Sequence, residues 1–164
     1  MGHQRIASLL PDSLSPFYIN RQTEGLKNAY QKFNLPWDDD LVKVYPAHNA
    51  DSFYRDFAAN FQKEGITAAV VGDWEKIMVL IDDLRQANFE VPRDISIMSY
   101  GDSEWSQRIR PRITRVDFRM ETIAKQIIEA LLSHIEGQKP LPAQKLITFP
   151  VQVILGHSTD MVPQ

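Results

Sequence analysis

Ile66-Thr67-Ala68-Ala69-Val70-Val71 is the stretch that decides the architecture. It is uncharged throughout and rich in β-branched residues, with none of the polar alternation of a strand that has one wet face. Such a run reads as a strand covered on both sides, the habit of parallel sheets. Gly65 stands just before it, where a residue free to adopt positive φ ends a helix. That helix lies upstream, with Phe53, Phe57 and Phe61 on one face and Asp51 as its expected N-cap. Downstream, Asp73 is placed to cap a second helix whose stripe is Ile77, Leu80, Ile81 and Leu84.

The pattern repeats outward in both directions. Residues 6–10 (IASLL), 41–45 (LVKVY) and 95–100 (ISIMSY) read as further strands. A loop of Pro11, Asp12, Ser13, Ser15 and Pro16 leads into residues 17–33, where Ile19, Leu26, Tyr30 and Phe33 fall near helical spacing. The clearest helix covers residues 120–135, with Ile123, Ile127, Ala130, Leu131 and Ile135 in register. Residues 137–142 read as a connector, and residues 146–155 as strand-like segments around Pro150. Strands alternating with helices predict an α/β fold, a parallel sheet flanked by helices on both faces. Ligands in such folds sit at the carboxyl ends of the strands. The loops after Leu10, Val71 and Tyr100, joined by residues 45–49, are therefore the ones to watch.

Composition narrows the function. With 164 residues, 43% hydrophobic and 24% charged, the chain can bury a core as one unit. It has no cysteine, which removes disulfides and thiolate metal sites and fits a reducing compartment. No run reaches the roughly 18 apolar residues of a membrane span, and the first residues lack a secretory signal, so a cytoplasmic location and no membrane partner are expected. Net charge is −3. The densest basic stretch, residues 108–119, holds Arg108, Arg110, Arg112, Arg115 and Arg119 and reads as a solvated edge or as a minor phosphate contact. His3, His48, His134 and His157 are scattered without metal-ligand spacing. Neither a nucleophile elbow nor a Gly-rich phosphate loop is present. No enzyme activity and no cofactor are expected.

Five segments in order resemble regulators of the lac repressor/galactose repressor type. They are Gly2-His3 with Ile6-Ala7; Gly65 through Asp73; Val91-Pro92-x-Asp94-Ile95-Ser96-Ile97; Pro111-x-Ile113-Thr114-x-Val116; and Ser158-Thr159. The resemblance covers nearly the whole chain. It implies a three-layer, periplasmic-binding-protein-like (type I) second lobe in residues 1–117. It also implies a crossover helix belonging to the first lobe in residues 118–138, and a return segment with the last strand in residues 139–164. On this reading, the helix-turn-helix and most of the first lobe are expected outside this chain. The implied function is effector sensing and dimerisation in a bacterial regulator of carbohydrate genes. The alternative is a sugar-binding protein of a transport system with the same fold. The implied partners are a sugar or sugar-phosphate effector, a second copy of the chain, and operator DNA reached only through the outside region.

Three pocket positions of that family depart here. Gln22 stands where the family has Arg, with Arg21 one place off. Gly72-Asp73 replaces Asn-Asp, and Gly101-Asp102 replaces a pair of carboxylates. A charged acceptor is worth roughly 1.5–3 kcal/mol in a hydrogen bond, so the loss at Gly101 argues for weak binding of ordinary sugars. The ligand candidates are Arg21, Gln22, His48, Asp73, Trp74 and Asp102. Each also has a plain structural reading: a solvated charge for Arg21, a helix cap for Asp73, a turn for Asp102, and packing for Trp74 and its counterpart Trp105. Ile123, Ile127, Leu131 and Ile135 are the expected self-association stripe, because the sheet they would cover lies outside the chain.

Overall fold

The computed structural model describes residues 1–101, 108–137 and 148–162. The elements run β1 (Ile6–Pro11), α1 (Pro16–Lys32), β2 (Val42–Tyr45), α2 (Ala50–Asn60), β3 (Ala68–Val71), α3 (Lys76–Gln86), β4 (Ser96–Tyr100), β5 (Thr114–Asp117), α4 (Met120–Ile135) and β6 (Gln152–Ile154). The strands lie in the order β2-β1-β3-β4-β5-β6. The first five are parallel, as the unbroken apolar runs predict. The last strand departs from that expectation: β6 pairs antiparallel with β5, Val153 opposite Val116.

Register fixes the faces. Ala7, Ala69 and Ile97 are aligned across β1, β3 and β4, and all are buried. Parallel crossovers are right-handed. The step from β1 to β2 runs opposite to the steps toward β3 and β4, so α1 takes one face and α2 with α3 take the other. The stripe Ile77, Leu80, Ile81 and Leu84 is buried as its spacing predicts. It joins Tyr54, Phe57, Ala58 and Phe61 in the main core. On the α1 side, Leu26 and Ala29 face Val70 and Met98 across a groove of about 330 Å³.

Two caps differ from expectation. Asp51 lies inside the first turn of α2, and Asn49 takes the cap position without a side-chain bond. The chain enters α2 through a 3-10 turn at Ala47–Asn49, which starts the helix earlier; Asp51 pairs with Lys76 instead, at 3.0 Å. Asp73 closes a local turn by accepting from the Glu75 N–H at 3.1 Å. It stops short of α3, whose cap residue is Glu75. Gly65 does adopt positive φ (+68°), at the end of the turn that follows α2.

The closing segment is laced along the amino edge of the sheet. Gly156 N–H donates to Thr114 Oγ1 at 3.0 Å. Ser158 is fully buried; its Oγ accepts from the Thr114 N–H (2.8 Å) and donates to the Ile97 carbonyl (2.6 Å). Asp160 N–H reaches Ser96 Oγ, and His3 bridges Thr67 Oγ1 and the Asp160 carbonyl. Ser158-Thr159 of the family-like motif is thus a clamp on β4 and β5.

Among the described residues, Asp83 is the buried one that carries a charge. It is 9% exposed on α3, and Oδ2 finds no partner among the described residues. Burial pushes its carboxyl above the usual range, against the pull of Arg55. An acid whose folded pKa is raised costs stability above that pKa, and the cost fades as pH falls through it. Asp83→Asn removes the charge that burial opposes and is expected to stabilise the fold at pH 7. The gain should shrink on acidification. Thermal melts at pH 7 and pH 4.5 check this, and a destabilised variant at pH 7 would show that the Arg55 attraction outweighs burial.

Candidate functional site

Parallel pairing brings the ends of β1, β3, β4 and β5 to one edge. The loop after β1 folds into α1 through Ser15, whose Oγ accepts from the Tyr18 N–H, with Pro16 in the first turn. This presents Phe17 and Tyr18 at 73% and 36% exposure. One turn on, Gln22 is half-buried, whereas Arg21 is exposed and pairs with Glu24 at 3.2 Å. His48 is exposed in the turn after β2.

Beneath that turn, Tyr45 stacks on Phe53 (ring centroids 4.5 Å apart) and its hydroxyl lies 2.9 Å from that of Tyr54. Burial pushes the Tyr45 phenol up to about 12 and Tyr54 higher still, and the Asp73 charge adds to both. Asp73 is therefore near enough for its charge to be felt at this buried tyrosine pair. Trp74 is half-buried against the core, and its indole N–H finds no acceptor among the described residues.

At the end of β4, burial raises the Tyr100 phenol to about 12, with Tyr18 close enough to push it further. Gly101 adopts φ +88°, and a Cβ there would lie 3.6 Å from the Phe118 ring. Asp117 accepts from the Arg119 N–H at 2.7 Å. A cavity of about 590 Å³ opens here, lined by Gly101, Asp117, Phe118 and the first turn of α4. Its size suits a small ligand. Asp102 and Trp105 lie outside the described residues. Tyr18 and Gln22 in the first turns of α1, Asp73 and Trp74 after β3, and Phe118 after β5 thus all follow the carboxyl ends of strands, with Arg21 turned toward Glu24. Sequence reasoning missed Tyr18, in the first turn of α1, and Phe118, which directly follows β5.

Residues 1–159 match the model of the periplasmic binding protein-like domain. The chain belongs to that family. It is 25% identical to the arabinose metabolism transcriptional repressor of Geobacillus stearothermophilus over 167 residues, which takes in 99% of this chain and 45% of the repressor. Its fold is similar to that of a LacI-family regulatory protein from Chloroflexus aggregans, with a TM-score of 0.79 and 21% identity over 97% of this chain and 56% of that one. A LacI-family regulator from Enterococcus faecium, solved with bound ribose, gives a TM-score of 0.71 at 22% identity, over 96% and 57% of the two chains. The chain spans less than half the length of the relatives it matches in sequence. Those relatives are named as transcriptional regulators or repressors rather than enzymes. No described helix of this family member is long and apolar enough to cross a membrane.

Its α4 stands apart from the core. It has no buried residue; Ile127 (56%), Leu131 (50%) and Ile135 (69%) are exposed, and Ile123 is half-buried. A second row, Ile128 and Leu132, is equally exposed. The sequence stripe did not include it.

Proposed function

We propose that this chain is the effector-sensing lobe of a cytoplasmic bacterial regulator that controls carbohydrate genes. The observation that carries the reading is the family match across residues 1–159 with regulators among the relatives, one of them an arabinose repressor. Those names favour a regulator over a transport protein. The effector is a sugar or sugar phosphate that meets Gln22, His48, Asp73, Trp74 and Asp102, with Arg21 free to swing in from Glu24. Operator DNA is contacted through a region other than this lobe. The test is transcription with and without the locus on a set of carbohydrates. A change of several-fold in a carbohydrate-use operon is expected, and unchanged transcription on every carbon source overturns the reading.

Ordinary sugars should bind this lobe weakly. A two-lobe site encloses its ligand from both sides, and a single wall leaves most of the ligand wet. Calorimetry with ribose, arabinose, cellobiose and sugar phosphates is expected to give millimolar affinity at best, reduced about fivefold or more by Asp73→Ala. Micromolar binding indifferent to Asp73→Ala would remove the effector from this edge.

The chain is also proposed to form a homodimer through α4. Leaving one large apolar side chain exposed forfeits roughly 1.5–3 kcal/mol, and this helix exposes two rows of them, more than a monomer ordinarily leaves wet. Ile127→Glu with Leu131→Glu should give monomers. Sedimentation at micromolar concentration decides the matter, since a monomeric wild-type chain overturns the proposal.

A further inference from the structure

The two edge strands of the sheet are built differently. At one edge, β2 carries Lys43 within the strand, paired with Glu64 at 2.7 Å, and Arg5, Asp40 and Glu64 line the hollow beside it. Charge along an edge is the ordinary defence against pairing with another chain. Two copies of β2 laid edge to edge would also bring Lys43 toward its own copy, and like charges across strands repel. At the other edge, among the described residues, β6 has a paired neighbour on one side only, β5. No charged residue falls between Thr148 and Gly156. Val151, Val153 and Leu155, spaced two apart, are each more than half exposed. An uncharged apolar strand with an open edge is a template for pairing. Pro150 has no N–H to give and bounds the template on one side. On the other side, the bonds from Gly156 and Ser158 to Thr114 hold the strand in place.

We infer that two copies of this chain join edge to edge at β6, antiparallel, so that one sheet runs through both. The occupant of the edge is a second copy because the segment complements itself. It brings no charge for its copy to meet, and an antiparallel pair of identical strands is related by a two-fold axis, here perpendicular to the sheet. That axis sets the two rows of Val151, Val153 and Leu155 side by side on one face, on strands about 4.8 Å apart. The inference rests on the homodimer reading above and adds a strand edge to the helix named there. α4 begins at Met120, just after β5, the strand that β6 pairs with, so both surfaces belong to the same end of the sheet.

The chain has no cysteine, so a single introduced thiol reports directly on the contact. Val151→Cys, Val153→Cys and Leu155→Cys are made one at a time in the whole chain, with Val44→Cys on β2 as the exposed control, and oxidised with diamide at micromolar concentration. Opposed residues of an antiparallel pair lie about 4.5–5.5 Å apart at Cα, within disulfide reach. One of the three is expected to cross-link at least tenfold faster than the control. Val153→Lys, checked for an unchanged circular dichroism spectrum, should raise the dimer dissociation constant tenfold or more in sedimentation, whereas Val44→Lys should leave it unchanged. Cross-linking at all three positions no faster than at Val44 overturns the inference and leaves a dimer through α4 standing. So does a Val153→Lys dimer as tight as the wild type, or an equal weakening by Val44→Lys, which would trace the effect to added charge. A monomeric wild-type chain overturns both readings.

Discussion

Ser158→Ala is expected to lower the stability of the folded chain by about 2–4 kcal/mol, the sum of two buried backbone groups left without partners. The Ser158 hydroxyl meets both the Thr114 N–H and the Ile97 carbonyl, at 2.8 and 2.6 Å, inside the amino edge of the sheet. Alanine fits the space but offers neither a donor nor an acceptor, and a fully buried residue is out of reach of bulk water. At this chain length the loss corresponds to a fall in Tm of roughly 5–15 °C. Urea denaturation of the two chains measures it. A shift of midpoint worth less than about 0.5 kcal/mol would mean that the backbone groups find other partners and that the clamp is dispensable.

Gly156→Ala should do more damage still. A Cβ at that position would overlap the Arg112 carbonyl oxygen and come within 2.6 and 2.7 Å of the Ile113 carbon and the Thr114 nitrogen. All three are backbone atoms at the entry to β5, so no side chain can swing aside. The strand or the closing segment must move instead, which disrupts the Gly156–Thr114 and Ser158–Thr114 bonds together. The expected outcome is a loss above about 3 kcal/mol, at the far end of what single changes do, or no soluble folded chain. Gly25→Ala is the control of opposite sign. It sits inside α1 with nothing within 4 Å of its added carbon, so alanine should stabilise by about 0.5–1 kcal/mol. Equal effects at the two glycines would mean that packing at Gly156 is not the cause.

Much of the architecture was legible because it depends on periodicity. The strand in 66–71 and the stripe of α3 follow from which neighbours in sequence are apolar, and burial rewarded those patterns directly. α4 was legible in extent, though its second apolar row was not, because a stripe drawn at one spacing ignores adjacent residues such as Ile128 and Leu132. The caps were less legible. Asp51 and Asn49 are both good cap residues, and the 3-10 turn before α2 chose between them through backbone direction. The antiparallel return of β6 and the clamp role of Ser158 were hidden for a different reason: the partners of Ser158 lie 44 and 61 positions away. At the site, the strand ends told where to look. They did not tell that Asp12, Asp73 and Asp117 would be drawn into holding their own loops, which changes the chemistry left over for a ligand.

The lacing of the amino edge bears on how the chain is made. Val162 N–H bonds to the Met1 carbonyl, and His3 is bonded to Asp160, so residues from the two ends of the described chain share one seam. Contacts of such long sequence separation slow folding. A ribosome releasing this chain would expose the central strands β1, β3 and β4 well before residues 156–162 had cleared its tunnel. Over that interval the amino ends of β4 and β5 lack their final partners, and the nascent chain is open to aggregation or chaperone capture. The amino edge is then the part of this sheet completed last, by a residue 44 and 61 positions downstream of its partners.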